Sequence, residues 1–96
     1  LISQAILPDT VVEIGQEAFN SCEDLEYVYL PEGLQKIGQE AFDVCDELSY
    51  IRIPDSVKRI GSWAFDDCPR LYISLPAKWK GYDAKYENKP MYSEFR

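Results

Sequence analysis

No histidine occurs among the 96 residues of the chain. The commonest general base and the commonest metal ligand are therefore missing. Neither a Cys-His pair nor a Ser-His-Asp arrangement can be assembled. The glycines number five and stand singly, so no glycine-rich loop is available to cradle phosphate. No apolar run approaches the roughly 18 residues of a membrane-spanning helix, and no membrane insertion is expected. Cysteine occurs three times, at a spacing of 23. That is neither a disulfide framework nor a zinc spacing. No basic neighbours are arranged around the cysteines to lower their pKa. Cofactors and metals are not expected.

Positive charge is also scarce. Ten lysines and arginines face 17 aspartates and glutamates, a net charge of −7. Residues 1–76 hold 14 acidic and 5 basic side chains, while residues 77–96 hold 3 and 5. An acidic body repels phosphate backbones, which argues against nucleic acid as a partner. A hydrophobic fraction of 46% is enough for one small folded domain. The chain opens at Leu1 rather than at a methionine, as expected of a processed or excised piece of a longer protein.

What the chain does have is a repeat. Ile-Gly-x-x-Ala-Phe-x-x-Cys runs from Ile14 to Cys22, again from Ile37 to Cys45, and again from Ile60 to Cys68. A period of 23 means a solenoid, in which each unit buries its apolar face against its neighbours. Pro8, Pro31, Pro54 and Pro76 divide the chain into a partial coil 1–7, full coils 8–30, 31–53 and 54–75, and a tail 77–96. The inward columns are Val11, Leu34 and Val57; Ile14, Ile37 and Ile60; the Ala-Phe pairs; the cysteines; Leu25, Leu48 and Leu71; Val28, Ile51 and Ile73; and Leu30, Ile53 and Leu75. In-register thiols run parallel about one strand spacing apart, roughly 4.8 Å. That is too far between Cβ atoms for a disulfide, so the cysteines are read as stacked free thiols.

Before each proline the pattern alternates. In Tyr27-Val28-Tyr29-Leu30 the aliphatic residues point in and the tyrosines out, a strand half-buried on one face. Tyr50-Ile51-Arg52-Ile53 and Tyr72-Ile73-Ser74-Leu75 repeat it, although the last coil is one residue short between Leu71 and Tyr72. A second short strand is expected before each glycine, as in Leu34 to Ile37. The glycine itself suits a corner with positive φ, and the segment after it suits a helical or 3-10 turn. The expected fold is therefore of the α/β class: short parallel strands on one face, helical or 3-10 turns elsewhere, and few true helices. The aromatic tail, with Trp79, Tyr82 and Tyr86 spaced for one helical face, reads as a cap over the last coil. The other end lacks such a cap, so further repeats or another module are expected before Leu1.

The coil Leu-Pro-x-x-[Val/Leu]-x-x-Ile-Gly-x-x-Ala-Phe-x-x-Cys-x-x-Leu-x-x-[Val/Ile]-x-[Leu/Ile]-Pro resembles the BspA-like leucine-rich repeats over residues 7–76. Tyr86 to Phe95 is also similar to the Tyr-x-x-x-Pro-x-Trp-x-x-Phe ending of such arrays, with Tyr92 in place of tryptophan. The resemblance implies a right-handed leucine-rich-repeat solenoid. It also implies a bacterial, secreted or surface-displayed protein engaged in adhesion or protein binding. It carries over no catalytic residue.

The informative surface is the outward strand face. Tyr27, Tyr50 and Tyr72 form one column on it, beside Tyr29, Arg52 and Ser74. Tyrosine and arginine are enriched at protein interfaces, and tyrosine also favours strands for packing reasons alone. Trp63 stands where the other coils carry Glu17 and Glu40, as a cover for the last coil or a second exposed contact. The acidic pairs Glu23-Asp24 and Asp66-Asp67 read as solvated turns rather than calcium ligands. The chain is thus expected to be a non-enzymatic binding module. Its partner is a protein, with a glycan laid on the tyrosine strip or a purely structural spacer role as alternatives.

Overall fold

The computed structural model describes residues 3–79. Seven short strands follow the alternating segments of the sequence. They are β1 (Gln4–Ile6), β2 (Glu13–Ile14), β3 (Tyr27–Tyr29), β4 (Lys36–Ile37), β5 (Tyr50–Arg52), β6 (Arg59–Ile60) and β7 (Tyr72–Ser74). Two parallel sheets result, one in the order β1-β3-β5-β7 and one in the order β2-β4-β6. Every strand pairs with its equivalent one coil away, as in Ile14 with Ile37 and Ile37 with Ile60. The short last coil keeps the register, because Tyr50 still pairs with Tyr72 and Arg52 with Ser74.

The core lies between the two sheets and follows the inward columns. Leu34, Ile37, Phe42, Cys45, Leu48, Ile51, Val57 and Ile60 are fully buried. Phe19, Phe42 and Phe65 stack with centroids 5.2 and 5.4 Å apart and form the spine. Burial fades toward the ends. Phe19 is half-buried and Ala18 exposed, while their middle-coil equivalents Phe42 and Ala41 are sealed.

The segment after each glycine is not helical. Ala18, Asn20 and Cys22 donate back to the carbonyls of Gly15, Glu17 and Phe19, closing successive β-turns. The alternate amides of Glu17, Phe19 and Ser21 donate across to Gln39, Ala41 and Asp43 of the next coil. A helical turn would direct its donors back along its own segment rather than sideways to the next coil. Splitting them ties each coil to the next, which is why turns replace the expected helical piece.

The corner glycines also act differently from expectation. Gly15, Gly38 and Gly61 do not adopt positive φ; among the described residues, the one glycine that does is Gly33, at 100°. Positive φ falls instead on Glu17, Glu40 and Trp63, and on Ser21, Val44 and Asp67. Gly38 and Gly61 are required by close approach. A Cβ on Gly38 would lie 2.7 Å from the backbone nitrogen of Gln16. No Cβ fits where a neighbouring backbone already stands.

The prolines start a turn of fixed form. Val11, Leu34 and Val57 each donate to the carbonyl of the proline three residues before, at 3.1 Å. Trp79 does the same to Pro76 at 3.0 Å, within a 3-10 turn over Ala77–Trp79. Trp79 therefore occupies the inward column of Val11, Leu34 and Val57, and it is buried. The repeat geometry runs on past Pro76 as far as this residue. Tyr82, Tyr86 and the Tyr86 to Phe95 segment of the expected cap lie outside the described residues.

Candidate functional site

The four-stranded sheet carries all six residues singled out on its outward face. Strand alternation puts Val28 and Ile51 inward and turns their neighbours out. Tyr27 pairs with Tyr50 and Tyr50 with Tyr72, so the three tyrosines form one column. Their rings stack, with centroids 6.4 and 5.9 Å apart and planes within 2° and 14° of parallel. Tyr27 is half-buried, Tyr50 is 37% exposed and Tyr72 is 65% exposed. Exposure thus rises toward the β7 edge.

Beside this ladder runs the second outward column, with Tyr29 half-buried, Arg52 exposed and Ser74 half-buried. Arg52 Nη1 donates to Glu32 Oε2 at 2.7 Å, an exposed ion pair. The Glu32 hydrogen bond and charge push the Arg52 pKa up further, so its cation is permanent. Among the described residues, no hydrogen bond engages the hydroxyls of Tyr27, Tyr50 or Tyr72.

Three residues of this face were not singled out from sequence. Gln4 pairs with Tyr27 and extends the tyrosine column, and Ile6 pairs with Tyr29 and is exposed. Both lie one period before residues already chosen, so the 23-residue offset is the signal that finds them. Glu32 has no such signal, since its ion pair depends on where a turn places it.

Trp63 stays on the outside at 36% exposure. The buried tryptophan at that end is Trp79. The thiols are free, with Cys45 buried and Cys22 and Cys68 half-buried. They do more than fill space: Cys45 Sγ donates to the Phe19 carbonyl at 3.2 Å and Cys68 Sγ to the Phe42 carbonyl at 3.0 Å. The neighbouring Cys45 thiol and burial raise the Cys68 pKa, and burial raises that of Cys22. Cys22 and Cys68 are therefore protonated at neutral pH and poorly suited to nucleophilic work.

Two other features complete the surface. A polar groove of about 380 Å³ runs over Gly38 and Gly61, flanked by Glu13, Lys36 and Arg59. Asp43, Asp66 and Asp67 bring carboxylate oxygens within 4.8 Å of one another. Burial first, then the charges of Glu40 and Asp67, raises the Asp43 pKa. Among the described residues, no helix is long and apolar enough to cross a membrane.

Comparison with curated protein sequences finds no match. Among solved structures, the chain is similar to a T. pallidum leucine rich repeat protein, at 36% identity and a TM-score of 0.73. The similarity covers 77% of this chain and 37% of that protein, so the chain spans well under half of its relative's length. Residues 1–83 match the family described as the BspA type leucine rich repeat region. The parallel coils, the stacked Ile-Gly-x-x-Ala-Phe-x-x-Cys columns and these two matches agree, and the chain belongs to the BspA-type leucine-rich repeat family.

Proposed function

We propose that this repeat module recognises a protein partner through the Tyr27–Tyr50–Tyr72 face of its longer sheet. Its setting is a secreted or surface-displayed protein engaged in adhesion. The observation that supports this reading is the ladder itself. Three tyrosines stand in one column with hydroxyls that no hydrogen bond engages among the described residues, beside a permanent cation at Arg52. Stiff aromatics with polar tips, next to an arginine, offer contact area at low entropic cost. The inner half of each coil is committed to packing, whereas this outer half varies from Tyr29 to Arg52 to Ser74 between coils.

The experiment pans a display library of random linear peptides on the chain and measures the enriched peptides on variants. Tyr50→Ala with Arg52→Ala is expected to abolish binding while the chain still unfolds cooperatively in urea, with a stability loss of about 1–3 kcal/mol from the two lost ring stacks. Enriched peptides that bind the double variant as well as wild type would refute the reading. A spacer role predicts that neither the library nor a glycan array yields a binder.

A further inference from the structure

The ladder has a geometry that selects among partners, and the following rests on the reading that it is the binding face. The facing rings of Tyr27 and Tyr50, and of Tyr50 and Tyr72, are nearly parallel at 6.4 and 5.9 Å, while Tyr72 remains 65% exposed. A sugar held between two rings needs roughly 3.5–4 Å to each face, about 7–8 Å in all. Neither gap admits it. On the N-terminal side, β1 places Gln4 next to Tyr27 in the same column. What the strip offers along its length is ring edges and a row of hydroxyls, free among the described residues.

That row has a pitch. Near-parallel rings on in-register strands, when they share one in-plane orientation, carry their hydroxyls at about the centroid spacing of 6.4 and 5.9 Å. An extended peptide presents main-chain carbonyls on one side at every second residue, roughly every 6.5–7 Å. The two spacings agree within a few tenths of an ångström to about one ångström per rung, a mismatch that side-chain adjustment absorbs over three rungs. A helical partner does not match, because its carbonyls are bonded within the helix and rise about 1.5 Å per residue.

We infer that the ladder takes an extended peptide segment laid along the solenoid axis, across the strands. Tyr27, Tyr50 and Tyr72 donate in turn to the carbonyls of alternate residues. Five consecutive residues of the partner span the three hydroxyls. Residues 1–76 carry a net charge of −9, 14 acidic against 5 basic, which favours a neutral or basic segment over an acidic one.

The test separates this inference from the broader reading. Linear peptides enriched on wild type are measured on Tyr27→Phe/Tyr50→Phe/Tyr72→Phe and on Tyr50→Ala/Arg52→Ala. Phenylalanine keeps ring shape and stacking, so circular dichroism should match wild type. Each lost hydroxyl is expected to weaken binding about two- to tenfold, and all three on the order of a hundredfold. Unchanged affinity in the phenylalanine variant, with loss in the alanine variant, leaves the ladder as binding face but overturns the carbonyl row. Affinity unchanged in both overturns both. A library that yields no binder, with or without hits on a glycan array, also overturns the inference.

Discussion

The backbone nitrogen of Gln39 lies 2.5 Å from where a Cβ on Gly61 would stand. The contact is backbone on one side and the missing side chain on the other, so neither can give way cheaply. The same residue type at Gly15 has nothing within 4 Å, because the described residues place no coil before it there. One sequence motif thus carries a different constraint in each coil.

Gly61→Ala and Gly38→Ala should each destabilise the chain by about 2 kcal/mol or more, since the coils must separate to admit the methyl. Gly15→Ala should be neutral, or stabilising by about 0.4–1 kcal/mol through the unfolded state. Urea unfolding of the three variants checks the contrast. Equal losses at all three positions would show that close approach of the preceding coil is not what requires glycine.

Trp79 is 4% exposed and completes the column that Val11, Leu34 and Val57 begin. Trp79→Ala removes the last large apolar group described at that end. It should cost about 3–5 kcal/mol, whereas Trp63→Ala, at an exposed position, should cost far less. Thermal unfolding of the two variants distinguishes them.

Val44 holds φ at 59°, a conformation that a β-branched residue rarely adopts. The left-handed region costs roughly 1–2 kcal/mol for residues with a Cβ, and asparagine tolerates it better. Val44→Asn is expected to raise stability by about 1 kcal/mol, read as a higher urea midpoint with unchanged slope.

Burial, and then the charges of Glu40 and Asp67, holds the Asp43 carboxyl above its ordinary value, and its Oδ1 is buried without a hydrogen-bond partner. The folded state therefore grips this proton more tightly than the unfolded state. The resulting stability is full below the unfolded pKa and is lost as pH rises through the folded one. Asp43→Asn escapes that loss. It should be more stable than wild type near pH 7, with the difference closing near about pH 3, where the unfolded carboxyl is largely protonated.

The inward columns were legible in the sequence down to individual residues. Leu34, Ile37, Phe42 and Cys45 are buried where the period places them. Apolar periodicity and proline spacing are local signals, and stacking identical units preserves them. The role of the corner glycines was not legible. A glycine kept for positive φ and one kept for close approach look alike in sequence, because both are the absence of a Cβ. The positive φ of Glu17, Glu40 and Trp63 leaves no compositional mark at all. Nor does the hydrogen-bond pattern after each glycine, where alternate amides bond within the coil and to the next.

By itself the sequence determined the period, the buried set and the column of outward tyrosines. Each follows from residue type repeated at a constant interval. The tertiary structure decided how those tyrosines are presented. Their rings face one another because parallel in-register strands hold Tyr27, Tyr50 and Tyr72 at nearly one orientation, 6.4 and 5.9 Å apart. It likewise decided that Trp79 belongs to the core and that Gly15 is unconstrained where Gly61 is not. Such properties belong to contacts between coils, among atoms some 23 residues apart in the chain. They exist only once one coil lies on the next.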